Sequence, residues 1–175
     1  IFTSFGKKTG TQKKEMIQQR ILVMGVGNYL MRDEGVGVHA IRYLEKQQLP
    51  AYVDLLDGGT GGFHLFEYFE RYPHVILIDA TLDNNPPGTI GLIKPKYAAD
   101  FPTAMSTHDI GLKDLVSAIQ LLDLQTDIHL FTISIKTIQE QGIELNSEVE
   151  KILPELGNRV LSLCKHILYP EPAEH

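Results

Sequence analysis

Apolar positions recur along this chain in two alternating rhythms, short continuous runs and helical spacing. Ile21-Leu22-Val23-Met24 is a run of strand length that breaks at Gly25 and Gly27. Gly37, Ala40, Ile41 and Leu44 then recur at helical intervals, predicting an amphipathic helix over 36–48 that Pro50 ends. A second strand is expected over 52–56 and a short helix over 63–71, with Leu65, Phe66 and Phe69 on its apolar face. Residues 74–79 contain the run Val75-Ile76-Leu77-Ile78, which suits a strand covered on both faces and ended by Asp79. After an Asn-Asn-Pro-Pro-Gly turn, residues 89–93 read as a strand that Gly91 and Pro95 consign to an edge. An irregular stretch over 96–107 leads to a helix over 110–122. A fifth strand is expected over 128–135. Ser147 with Glu150 has the form of a capping box for a final helix reaching Leu163, and Pro154 predicts a kink or restart within it.

Strands alternating with helices specify the α/β class. The expected architecture is a single three-layer α/β/α sandwich, with a mostly parallel, five-stranded twisted sheet and helices on both faces. Strand order is not readable from the letters. At 175 residues, one domain over 16–169 is expected. Residues 1–15 lack periodicity and read as an appended extension or tail before Met16, and 170–175 as a second tail.

Charge and cysteine content narrow the partners. A net charge of −6 argues against general nucleic-acid binding. No apolar run approaches the roughly 20 residues that cross a bilayer, so no membrane insertion is expected. The lone Cys164 excludes an internal disulfide and a site of several thiolates, and fits a reducing cytoplasm. It falls near the apolar face of the last helix, so it reads as core. A monomer is expected.

Candidate chemistry gathers at the strand ends. Asp33 and Glu34 follow the first strand, Asp57 ends the second and Asp79 the third. In a parallel sheet these ends share one edge, so the carboxylates can converge. His108, just before a helix, could swing over the same edge. Two carboxylates and an imidazole suit a divalent ion with open positions. Blander readings stand beside this one. Asp33 or Glu34 could merely favour the positive end of the next helix, Asp79 could cap a turn, and His108 could adjoin a helix capped by Asp109. His39, His64, His74, His129 and His166 have no partner at ligand spacing and carry no predicted role.

Familiar motifs are excluded in turn. Leu30 occupies the third small position of a dinucleotide fingerprint. There is no Gly-Lys-Ser/Thr loop, no Gly-x-Ser-x-Gly elbow and no His-Glu-x-x-His.

Four motifs in order carry a resemblance. They are Gly25-x-Gly27-Asn28-x-Leu30-x-x-Asp33-Glu34-x-x-Gly37, Asp57-Gly58-Gly59-Thr60-x-Gly62, Ile78-Asp79-Ala80 and His108-x-x-Gly111-Leu112. The chain from about Arg20 to Cys164 resembles the nickel–iron hydrogenase maturation endopeptidases, and its Asp-Gly-Gly-Thr form resembles the subgroup serving uptake-type hydrogenases. The resemblance implies an enzyme that removes the C-terminal extension of the hydrogenase large-subunit precursor after nickel insertion. It implies metal contacts from Glu34, Asp79 and His108, with nickel carried by the substrate and other divalent ions able to occupy the place. Asp33, Glu34 and Asp79 are the implied catalytic carboxylates, Asp33 as general base or supporting group. Asp57, Gly58, Gly59, Thr60 and Gly62 would form a loop along which the substrate peptide lies. Many relatives carry Asp-Asp where this chain has Asp33-Glu34. A non-cleaving, nickel-dependent assembly chaperone and a small-molecule hydrolase on the same fold are the competing functions.

Overall fold

The computed structural model describes residues 20–101, 110–138 and 140–170. Its sheet is five-stranded, built from β1 (Ile21–Gly25), β2 (Val53–Asp57), β3 (His74–Thr81), β4 (Ile90–Ile93) and β5 (Asp127–Ser134). The helices are α1 (Val36–Leu44), α2 (Phe66–Arg71), α3 (Ile110–Leu121), α4 (Ser147–Glu150) and α5 (Leu153–Leu168). Strand order is β2-β1-β3-β5-β4, parallel throughout except for β4, which runs antiparallel against β5.

Period-two alternation divides the strand side chains between two cores. Ile21, Val23, Ile76, Ile78, Phe131 and Ile133 face α1 and α5, meeting Ile41, Leu44, Leu156, Val160 and Cys164. Leu22, Met24, Val75, Leu77 and Leu130 face the other way, onto Leu65, Phe69, Val116 and Ile119. With helices on both faces, the molecule is the three-layer sandwich its patterning specifies. Cys164 is fully buried and burial pushes its thiol up to about 12, so it is a core residue with no reactive thiolate.

β4 lies at the sheet edge, as Gly91 and Pro95 suggest. A Cβ at Gly91 would sit 2.5 Å from Thr132 Oγ1 of β5, so a larger residue there would have to displace the Thr132 hydroxyl. Several boundaries differ from expectation. α1 stops at Leu44 rather than running to 48, because Glu45, Lys46, Gln47 and Gln48 are exposed and offer nothing to bury. Leu122 lies beyond α3 and is exposed. Pro154 marks a restart: α4 ends at Glu150 and α5 begins at Leu153 with the proline in its first turn, where no N–H is needed. The expected capping box does not form. Asn146, not Ser147, is the N-cap residue, and the Ser147 hydroxyl instead meets Glu148 at 3.0 Å. The extension over 1–15 lies outside the described residues, as does all but the first residue of the tail over 170–175.

At the amino-terminal edge, β3 and β5 bring together His74, Asp127 and His129, with Lys94 donating to Asp127 at 2.8 Å. Burial holds the His129 imidazole below its ordinary value of 6.5; Lys94 and His74 push the same way and Asp127 opposes. The folded state therefore resists a proton that the unfolded chain accepts, so stability falls as pH drops below about 6.5. Melting temperature should decline between about pH 7 and about pH 5.5, and His129→Gln should make that decline shallower. An unchanged slope in the variant would contradict this assignment.

Candidate functional site

The sheet reverses direction of growth at β1. From β1 the chain first adds β2 on one side, then returns to place β3 on the other. The crevice beyond the carboxyl ends of β1 and β3 is thus the topological switch point, where open α/β sheets place their ligands.

Register defines the crevice. Gly25, the last residue of β1, pairs with Ile78, so Asp79 is the first β3 residue with no β1 partner. Sequence reading places Asp79 at the strand's end. In fact β3 continues through Ala80 and Thr81, held by pairing to Ile133 and Ser134 of β5. Asp79 therefore sits on a rigid strand, fully buried, with Oδ1 accepting from the Ala80 N–H at 2.8 Å.

The loop after β1 is folded back over this crevice by close backbone packing. The Val26 N–H donates to the Ile78 carbonyl at 2.9 Å and the Gly27 N–H to the Gly59 carbonyl at 2.7 Å. A Cβ on Gly25 would lie 2.0 Å from the Gly37 carbonyl oxygen, and one on Gly37 would lie 2.3 Å from the Ile78 and Val26 carbonyls. Only glycine lets the start of α1 lie directly on the two strand ends. A 3₁₀ turn, Arg32–Gly35, precedes that helix and carries both acidic residues inward: Asp33 is 3% exposed and Glu34 1%.

Asp33 has a partner that sequence reading missed. Its Oδ1 accepts from the Asn146 backbone N–H and its Oδ2 from the Asn146 side-chain amide, both at 2.8 Å. Nothing in the local sequence connects residues 113 positions apart. Asn146 is the N-cap residue of α4, where the spacing points to Ser147, and its side chain serves Asp33 rather than that helix. The same segment supports the acidic loop elsewhere. Arg32, in a left-handed backbone conformation with φ 46°, donates its N–H to the Gly142 carbonyl at 2.8 Å, and the Gly142 N–H donates to the Leu30 carbonyl at 2.9 Å. His39, to which the sequence assigned no role, lies against the Tyr29 ring with centroids 4.8 Å apart and the planes tilted by 32°, and burial holds its imidazole below the ordinary value. Arg42 covers the Tyr29 ring at 3.7 Å.

The glycine loop after β2 lies against the same edge. Asp57 is exposed and Oδ1 accepts from the Gly59 N–H at 2.9 Å, closing a turn. The Gly58 N–H donates to the Gly25 carbonyl at 2.8 Å. Gly59, Gly61 and Gly62 all have positive φ, and a Cβ at Gly59 would meet nothing within 4 Å, so the loop presents open backbone to solvent beside exposed Thr60. Backbone packing thus brings the turn that carries Asp33 and Glu34, the 57–62 loop and the end of β1 to the carboxyl edge of the sheet beside Asp79, while the Asp33 carboxylate is turned toward Asn146. His108 lies outside the described residues. Among the described residues no three His, Cys, Asp or Glu side chains are arranged to hold a metal ion.

Comparison with known proteins gives the family. The family model for hydrogenase maturation protease matches residues 38–163. Hydrogenase 2 maturation protease of Escherichia coli K12 is 41% identical over 104 residues, which are 58% of this chain and 63% of that protein. The hydrogenase expression/formation protein HupD of Rhizobium leguminosarum is 32% identical over 149 residues, 81% of this chain and 74% of the relative. Among solved structures, the hydrogenase maturating endopeptidase HybD of Escherichia coli superposes with a TM-score of 0.76 at 33% identity, covering 85% of this chain and 93% of that one. The matched stretches span 63%, 51% and 55% of the first three curated relatives. The chain belongs to the hydrogenase maturation protease family.

Gly37→Ala tests the packing that creates the crevice. The added methyl group meets backbone on two sides and cannot be relieved by a side-chain rotation, so a loss of roughly 3 kcal/mol is expected in denaturant unfolding. Gly59→Ala, with open space above it, should cost only the strain of its positive φ, about 1 kcal/mol. Equal losses at both positions would contradict the account.

Proposed function

We propose that this chain is an endopeptidase that removes the C-terminal extension of a nickel–iron hydrogenase large-subunit precursor after nickel insertion. The observation that carries this reading is the placement of buried Asp79 beyond the end of β1, beneath a loop that buries Glu34, at the switch point of the sheet. In this reading the nickel belongs to the substrate. Carboxylates are hard ligands, weaker for nickel than the thiolates of a precursor site, so Glu34, Asp79 and His108 contact the ion without removing it. Cleavage then depends on correct loading. Either the ion polarises the scissile carbonyl or a carboxylate activates water at the same place. Other divalent ions of similar ligand preference compete for these groups.

A polypeptide substrate is supported by what surrounds the crevice. Leu30, Phe63, Leu82 and Ile143 are 62%, 64%, 37% and 52% exposed, and each lies in a segment that follows a parallel strand, Phe63 at the start of a short 3₁₀ helix. Apolar side chains spread over four such segments suit an extended chain or protein surface better than a small polar molecule. The open backbone from Asp57 to Gly62 gives that chain a place to lie. No helix among the described residues is long and apolar enough to cross a membrane. We place the enzyme in the cytoplasm as a monomer, acting on precursor there.

The test is incubation with nickel-loaded and nickel-free precursor, read by intact mass. Loaded precursor should lose its C-terminal peptide and nickel-free precursor should not. A loaded precursor of unchanged mass would overturn the protease reading and favour a non-cleaving chaperone. Asp79→Asn and His108→Ala should each slow processing at least about tenfold with the melting temperature of wild type. Normal processing by both variants would remove them from the site.

A further inference from the structure

We propose that Asp33 and Asn146 form a clamp that positions Glu34, and that Asp33 acts by accepting hydrogen bonds rather than by taking a proton from water. The proposal rests on the reading of Glu34 as a contact to the substrate's nickel. Four observations support it. Asp33 is 3% exposed, and each of its oxygens already accepts a donor from Asn146 at 2.8 Å. Asn146 is the N-cap residue of α4, a position where an Asn side chain ordinarily bonds to its own helix, yet it makes no such bond. Its carbonyl accepts from the Val149 and Glu150 N–H groups of α4 at 3.0 and 2.9 Å, so the helix holds Asn146 while Asn146 holds Asp33. Finally, the Arg32 N–H donates to the Gly142 carbonyl and the Gly142 N–H to the Leu30 carbonyl, a bridge between Met31 and Gly142, so the turn is tied to the 142–146 segment there as well as at Asp33.

Glu34 is the next residue in the same turn. With Asp33 fixed at both oxygens and the Glu34 N–H bonded to the Met31 carbonyl at 3.1 Å, the backbone from which the Glu34 side chain departs has little freedom. A cleft of about 390 Å³, lined by Arg32, Asp33, Lys136 and Asn146, opens beside the clamp. Loss of the clamp would let the turn relax into that space. Asp33 and Asn146 are therefore positioning residues, and Asn146 is a functional residue that sequence motifs do not reveal.

Exchanging the two side chains separates positioning from proton transfer. In Asp33→Asn the new amide still accepts from the 146 backbone N–H, and a flipped Asn146 amide accepts from its NH₂, so the clamp survives. Asn146→Asp sets two carboxylates against each other and breaks it. The double variant restores both bonds, with the charge moved to position 146. Turnover of nickel-loaded precursor should stay within about threefold of wild type for Asp33→Asn, whereas loss of a general base costs about a hundredfold or more. Asn146→Asp should lose at least about tenfold in kcat with KM little changed, and the double variant should regain most of it. Asn146→Ala, which keeps the backbone donor, stands in if Asn146→Asp does not fold, and should also lose kcat.

Collapse of kcat in both Asp33→Asn and the double variant would overturn the proposal in favour of a general base. Melting-temperature changes with kcat intact in every variant would overturn it in favour of a purely structural bond. Wild-type enzyme that leaves loaded precursor uncut would overturn the protease reading instead. The clamp then reads in thermal melts alone: Asn146→Asp should lower the melting temperature and the second substitution should recover it, and additive losses would refute the pairing.

Discussion

Backbone lying on backbone, with no side chain between, is the constraint on which this structure depends. Gly37 opens α1 directly over the carbonyls of Val26 and Ile78, and Gly25 ends β1 under the Gly37 carbonyl. Because these glycines allow contact at distances that a Cβ would forbid, the turn before α1 is pressed onto the crevice between β1 and β3. Everything acidic in that turn is consequently buried. A wider separation would leave Asp33 and Glu34 in solvent, where they would be ordinary helix-terminal carboxylates. The same letters therefore describe either a helix end or a site, and a few glycines decide between them.

Burying carboxylates is costly unless they are bonded. The molecule meets that cost for Asp33 with two donors from Asn146, and in doing so ties the first loop of the sheet to the segment that follows β5. The crevice is thus closed from both ends of the chain. β1, β3 and β5 supply the floor, the 57–62 loop one wall, and the 141–146 segment a brace. In the proposed function, bracing of this kind would hold Glu34 in place for a metal ion carried by the substrate. Small errors in ligand position would make correct and incorrect loading indistinguishable.

Much of this was legible in the letters, for physical reasons. Continuous apolar runs at β1 and β3 announce strands covered on both faces, and Gly91 with Pro95 marks an edge. That Asp33, Glu34, Asp57 and Asp79 follow the carboxyl ends of parallel strands was legible from the alternation of strands and helices, although Asp57 stays exposed in its own turn and Asp33 turns to Asn146. What escaped depends on register and on distant pairing. Asp79 was expected at a strand end, but β5 is long enough to carry β3 two residues further, and the opening arises because β1 is short. Ser147 and Glu150 have the spacing of a capping box, yet tertiary demand from Asp33 made Asn146 the cap residue and used its side chain elsewhere. Strand order 2-1-3-5-4 leaves no trace in local pattern, although it is what makes the β1–β3 crevice the switch point.

The central claim is that Glu34 and Asp79 stand where a partner's nickel arrives. Nickel K-edge absorption of the loaded precursor, recorded alone and then frozen in complex with this chain before cleavage, tests it most directly. Complex formation should add oxygen or nitrogen neighbours to a sulfur-dominated nickel environment, and Glu34→Gln with Asp79→Asn should diminish the addition. A nickel spectrum unchanged on binding would contradict that claim.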